Sequence, residues 1–271
     1  MTQPQPRRHA LVALLAAAAW PAWAQAPHDH SYATWEALLR KHVRWLPDGK
    51  QSRVDYKGFT ADRAALQAVL AGWSAVTPAA FAAFSREQQM AFLINAYNGF
   101  TIELILTRYP DLKSIKDLGS LLRSPWKNEF FTLLGEKRHL DWIEHDQLRP
   151  RYADPRIHAA IVCASIGCPA LRPEAFTAAR LEAQLEDGML RFLGDRTRNR
   201  LAEGRLQVSS IFKWFKGDFE QGHKGFGKVE DVFARYADAL TDAPADRERL
   251  RARQVPISHL DYDWSLNDMG R

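Results

Sequence analysis

Residues 85–106 read Ser85-Arg-Glu-Gln-Gln-Met-Ala-Phe-Leu-Ile-Asn-Ala-Tyr-Asn-Gly-Phe-Thr-Ile-Glu-Leu-Ile-Leu106. Ser85 with Gln88 three residues on is a capping box, which opens a helix by satisfying its first free N–H groups. From Met90 to Leu106 the run is apolar almost all round, and such a helix lies inside a domain. It extends to about Arg108 and stops at Tyr109-Pro110. Asn95 and Asn98 lie three apart and share one helical face. A buried amide without partners costs roughly 1–3 kcal/mol. Both are therefore expected to be hydrogen-bonded, to core backbone or at the wall of a cleft.

Working outward, Tyr32 to Trp45 has helical spacing, with Trp35, Leu38, Leu39, His42 and Val43 on one face. Residues 54–59 are a short extended stretch and turn, and residues 61–73 are helical. Thr77-Pro78 starts another helix, cap then first-turn proline. Phe130 to Leu140 reads as a hairpin. Asp141-Trp-Ile-Glu144 is a second capping box, opening a helix through about Leu148. Ile157 to Cys163 is expected to be a buried strand. Thr177 caps a helix to about Leu193. Leu206 to Phe215 starts extended and turns helical, residues 228–240 are helical, and Ile257 to Trp264 is a strand or extended arm. Helices dominate, strands are short, and no alternation of strand and helix appears. The expected class is α+β, a helix-rich single domain with a small sheet.

The chain has 271 residues, 46% hydrophobic and 25% charged, with 37 basic and 32 acidic side chains for a net charge of +5. This composition excludes disorder, collagen and coiled coil as the main state. No basic stripe accompanies the small positive excess, so no nucleic-acid partner is expected. Residues 1–24 read as a signal peptide: Arg7 and Arg8, the apolar run Leu11–Trp20, then Ala22-Trp23-Ala24 as a cleavage site near Ala24. The apolar run is shorter than the roughly 20 residues of a spanning helix, and no later segment is apolar enough to cross a membrane. Residues 25–30 read as a mobile tail and 31–267 as the domain. The expected location is periplasmic or secreted, where Cys163 and Cys168 can close a disulfide.

Chemistry concentrates between Glu144 and Arg172. A thiol nucleophile needs a base or positive field to ionise near neutral pH, and its histidine needs an orienting group. Cys163 or Cys168 with His145 or His158 supplies the first two parts, and Glu144, Asn95 or Asn98 the third. If Ile157–Cys163 is a strand, His158 and Cys163 are five apart and point to opposite faces. Cys168 before Pro169 would sit at a helix N-terminus, where backbone N–H groups favour a thiolate. Plainer roles exist for each: Glu144 as the return residue of a capping box, His158 as a core histidine, the cysteines as a disulfide. His145, His158, Cys163 and Cys168 are ligand types zinc accepts, but their spacing matches no finger pattern, so no metal and no cofactor is expected. Lys213-Trp-Phe-Lys216 pairs cations with aromatics and would suit a glycan or an anion, or a helix edge with lysines reaching to water. Phosphate-loop, dinucleotide, zincin and nucleophile-elbow motifs are absent.

Six separated stretches resemble the DUF547 family, a domain of unknown function, as found in exported bacterial members. They are Ala91–Gly99, Trp142–His145, Asp154–His158, Val162–Arg172, Ser210–Phe215 with Asp218-Phe219, and Tyr262–Asn267. They run in the family's order from about residue 31 to 267. The family usually reads Ala-Phe-Trp-Ile-Asn where this chain has Leu93, a core-packing change. The resemblance places the family's Glu-His pair on Glu144 and His145, its motif histidine on His158, and its cysteines on Cys163 and Cys168. Some plant members lack the second cysteine, which favours Cys163 as nucleophile, and the family's occurrence beside glutaredoxin-like domains associates it with thiol chemistry. The expected function is a thiol-dependent hydrolase or acyl transferase on peptide or amide bonds. Cys163 would attack, His145 would be the base and Glu144 the orienter, with His158 alongside. Asn95, Asn98, Cys168, Arg172 and Lys213 would contact a peptide or cell-envelope ligand. The alternatives are a non-catalytic envelope binding module with a Cys163–Cys168 disulfide, and a thiol redox protein.

Overall fold

The computed structural model describes residues 28–120 and 123–270. The signal-peptide reading of residues 1–24 lies outside them, as do residues 25–27 of the tail. In the described part of that tail, the His28 and His30 ring centroids lie 5.5 and 4.4 Å from that of Phe84.

The first helix is Ala33–His42 (α1), followed by a two-stranded pair, Val43–Trp45 (β1) and Ser52–Val54 (β2). The helix expected to reach Trp45 stops at His42 because Val43 pairs with Val54, which buries both β-branched side chains. Tyr56–Ala61 (α2) replaces the expected turn. Its start is fixed by the Asp55 carboxylate, which accepts from the Gly58 N–H. Arg63–Ser74 (α3), Pro78–Ala82 (α4) and Arg86–Leu106 (α5) complete the N-terminal half. Thr77 caps α4 and the Ser85–Gln88 box caps α5. Of the residues from Met90 to Leu106, all but Glu103 are buried, so α5 is the axis on which the rest packs.

Phe131–Leu133 (β3) and Glu136–Arg138 (β4) form the expected hairpin. The second capping box does not form. Asp141 is already helical and makes no side-chain cap, and Trp142–Leu148 is a π-helix running into Arg149–Tyr152 (α6). The extra residue per turn is a local unwinding that recurs at functional sites.

The expected strand over residues 157–163 is absent. Asp154 and Pro155 start a 3-10 turn, Pro155–Ala159, and residues 160–163 form no strand. Their backbone finds a side chain instead of a neighbouring strand: Asn98 Nδ2 donates to the Ala160 carbonyl at 3.0 Å, and the Val162 N–H donates to Asn98 Oδ1 at 2.9 Å. Nor does a helix follow Pro169, so Cys168 is not at a helix N-terminus.

A 3-10 turn, Ala178–Arg180, leads into Leu181–Gly194 (α7), and Thr177 makes no side-chain cap. The second half holds Arg200–Ala202 (β5), Arg205–Ser209 (β6), Ile211–Trp214 (α8), Val229–Arg235 (α9), Ala237–Leu240 (α10), Pro244–Arg251 (α11) and Ile257–Leu260 (β7). β6 is central in its sheet, antiparallel to β5 and parallel to β7. With helices predominant and sheets of two or three strands, the class is α+β. The hydrophobic interior falls into two clusters. One surrounds α5. The other gathers Phe192, Phe212, Phe219 and Phe233, and Tyr262 packs against both.

Candidate functional site

Five segments meet around a cavity of about 180 Å³. The π-helix brings Asp141, Glu144 and His145, the 3-10 turn brings His158, and the loop after it brings Cys163 and Cys168. α8 and residues 262–264 supply the outer wall with Trp214, Tyr262 and Trp264. Because β6 and β7 are parallel neighbours, their C-terminal ends emerge side by side. That is why Trp214 and Tyr262 come together, with ring centroids 4.9 Å apart.

Glu144, His145, His158, Cys163 and Cys168 therefore share one cavity. The opposite-face expectation for His158 and Cys163 fails with the strand on which it rested. Four other candidates do not line the cavity. Asn98 lies beneath the loop and holds it, as described. Asn95 accepts from Trp35 Nε1 and the Phe176 N–H and donates to the Phe176 carbonyl. Both asparagines are buried and bonded, as their shared face predicts. Arg172 is held by Glu174 and Asp187. Lys213 is exposed, and its neighbours Trp214 and Phe215 are the lining residues. A larger hollow of about 470 Å³ beside α1 and α3 is lined by Trp35, Val69 and Trp73 and holds none of the expected site residues.

Cys163 and Cys168 form a disulfide. Cys163 is half-buried, whereas Cys168 is 4% exposed. Donors surround Cys168 Sγ: the Cys163 N–H at 2.9 Å, the Tyr262 hydroxyl at 3.1 Å and Ser165 Oγ at 3.6 Å. The Ser165 and Tyr262 hydroxyl oxygens, 3.1 Å apart, also lie 3.0 and 3.2 Å from Cys163 Sγ. Tyr262 reaches the sulfurs because residue 167 is glycine. A Cβ there would sit 2.9 Å from the tyrosine ring.

The opposite wall is ionisable. The His158 ring Nε2 lies 2.7 Å from Asp218 Oδ2, its Nδ1 lies 3.8 Å from Glu144 Oε1, and its face stacks on Phe215 at 3.9 Å. Burial holds His158 below the ordinary imidazole pKa, against the opposing pull of Asp218. Arg149 donates twice to Asp218 and once to His145 Nδ1. Although burial pushes the Asp218 carboxyl up, hydrogen bonds from His158 and Arg149 hold it well below the usual range. Glu144 is the reverse case. Burial, reinforced by Asp141, raises it to about 7. Burial lowers His145, and Arg149 occupies the nitrogen it would need as a base.

Asp218, Arg149 and Tyr262 are the site residues that sequence reasoning missed. Asp218 and Tyr262 lie inside stretches that carry the family resemblance, which was the available signal. Residues 81–193 match the family described as a protein of unknown function, DUF547, and the chain carries that domain. The match takes in Glu144, His158 and both cysteines and stops short of Asp218 and Tyr262. No curated protein and no solved structure matches the chain.

Proposed function

We propose that the cavity is a thiol–disulfide exchange site of an exported protein. Cys163 is the sulfur attacked and Cys168 the sulfur released. The observation that carries this reading is the asymmetry of the disulfide. Cys163 is half-buried and open to attack, while Cys168 is buried and its sulfur alone accepts the Cys163 N–H, which stabilises a departing thiolate; the Ser165 and Tyr262 hydroxyls lie within reach of both sulfurs. An incoming thiolate attacks Cys163 Sγ. The Cys163–Cys168 bond breaks and its electron pair leaves on Cys168. A second thiol then displaces the mixed disulfide, leaving two reduced cysteines and an oxidised partner. Glu144, titrating at about 7, is protonated in part at neutral pH and can exchange the proton these steps require.

The test is trapping. With a small disulfide reagent, reduced Cys168→Ser should form a stable mixed disulfide at Cys163, about tenfold or more faster than reduced Cys163→Ser does at Cys168. The wild-type couple should sit above about −300 mV, the level below which structural disulfides lie. A lower potential with no trapping would refute exchange and favour the disulfide-closed binding module.

A thiol-dependent hydrolase or acyl transferase is the second reading, favoured by the Asp218–His158 contact in the same cavity. It requires reduced Cys163, with His158 rather than His145 as the oriented imidazole. Amide hydrolysis that appears only after reduction and is lost in Asp218→Asn would establish it. Export is tested separately. N-terminal sequencing of protein from the cell envelope should begin at Gln25, and Ala22→Asp should block processing. A mature chain starting at Met1 or Thr2 would overturn the leader reading.

A further inference from the structure

The cavity, at about 180 Å³, is smaller than the roughly 300–1,000 Å³ of sites that enclose a drug-sized ligand. It takes one side chain or a molecule of that size. Its lining is chemically one-sided. Tyr97, Trp126, Trp214, Phe215, Tyr262 and Trp264 supply six aromatic rings, Asp141 and Glu144 supply two carboxyl groups, and among the described residues no lysine or arginine lines it.

Nothing within the site neutralises those two carboxylates. Arg149 does not line the cavity. It lies over the Phe215 ring at 5.1 Å and is bonded twice to Asp218. Asp141 Oδ1 lies 3.7 Å from His145 Nε2, and Glu144 Oε1 lies 3.8 Å from His158 Nδ1. Burial holds both imidazoles below their ordinary pKa, so at pH 8 neither is charged. The aromatic wall favours the same ligand as the acids, because the face of such a ring attracts a cation. One ring of that wall already does so: Lys116 Nζ, outside the lining, lies 3.8 Å over Trp264. The surrounding segments carry exposed charges of both signs, Lys113, Lys116 and Lys127 with Asp111, Asp117, Glu129, Asp261 and Asp263, and select neither. The selection lies inside the cavity.

We infer that the ligand of this cavity is a small organic cation, and that the thiol which opens the disulfide is an aminothiol, its ammonium held between the aromatic wall and the Asp141 and Glu144 carboxylates while its sulfur reaches Cys163. The aminothiol rests on the exchange reading and adds the substrate's chemistry to it.

Binding is measured first, without a thiol. In calorimetry on the full oxidised chain at pH 8, choline should bind at least about tenfold more tightly than 3,3-dimethyl-1-butanol, which has its shape without its charge. Asp141→Asn/Glu144→Gln should remove most of that preference. Trp214→Leu, at a ring 47% exposed, should reduce it, with the melting temperature reporting folding separately. Equal affinity, or no binding of either compound, would overturn the inference. Exchange is measured second, with cysteamine, 2-mercaptoethanol and mercaptoacetate, which differ in charge and little in size. Each rate of opening the disulfide is divided by the same thiol's rate with a small linear disulfide, which cancels differences in thiol acidity. Cysteamine should lead 2-mercaptoethanol by about tenfold, and mercaptoacetate should come last. Equal normalised rates would overturn the aminothiol. If dithiothreitol too leaves the disulfide closed, the exchange reading fails, and the choline pair alone decides whether the cavity takes a cation.

Discussion

Asn98→Leu should lower the unfolding free energy by about 4 kcal/mol and loosen the cysteine loop. Leucine is close to asparagine in size, so the change removes hydrogen bonds more than volume. Two buried backbone groups lose their partners, the Ala160 carbonyl and the Val162 N–H. Leaving a buried group unpaired costs about 1–3 kcal/mol each. Asn95→Leu is the matched control, since it strands the Phe176 N–H and carbonyl and the Trp35 indole but touches nothing in the cysteine loop. Urea unfolding should show both variants destabilised, while only Asn98→Leu changes the rate at which dithiothreitol opens the disulfide. A loss below 1 kcal/mol for Asn98→Leu would mean that residues 160–163 are held by something else.

Glu144→Gln should make the protein more stable at pH 8 and leave it nearly unchanged at pH 4.5. The folded carboxyl titrates at about 7 against an ordinary 4.5, so the native state holds this proton more tightly than the unfolded chain does. Native stability therefore falls as pH rises from about 4.5 to 7 and levels off above. At 1.36 kcal/mol per pH unit the full decline from this group is about 3 kcal/mol. A neutral glutamine removes it. The same variant should flatten the pH dependence of disulfide exchange near 7. Equal stability of the two proteins at pH 8 would show that burial of Glu144 carries no charge penalty.

The parts of the fold legible in the sequence are those whose signal is local. The Ser85–Gln88 box and the unbroken apolar run after it specify α5 within one stretch, and Leu133-Leu-Gly-Glu136 marks its hairpin in the same way. Residues 157–163 were not legible. A short apolar run reads alike as a buried strand or as a buried loop, and what separates them here is Asn98, more than sixty residues upstream. That misreading carried a chemical consequence, because alternation along a strand would have sent His158 and Cys163 apart. The candidate site was legible as a set of residue types between Glu144 and Cys168. Its assembly was not, since Asp218 lies 60 residues beyond His158 and Tyr262 lies 94 beyond Cys168. Contacts at such separations leave no periodic trace in a single chain. The π-helix at Trp142 looked like a capped helix because Asp141 and Glu144, with two residues between them, have the spacing of a capping box.

The cavity lies on a seam. Its inner wall, with Ile161 and Cys168, belongs to the hydrophobic mass around α5. Its outer wall, with Ile211 and Phe215, belongs to the mass built on Phe212 and Phe219. A molecule lodged between them acts as a rivet. It grips both masses at once, so its binding energy adds to the cohesion of the whole chain by mass action. An occupied site should therefore resist proteolysis at positions remote from the cavity, on either side of the seam.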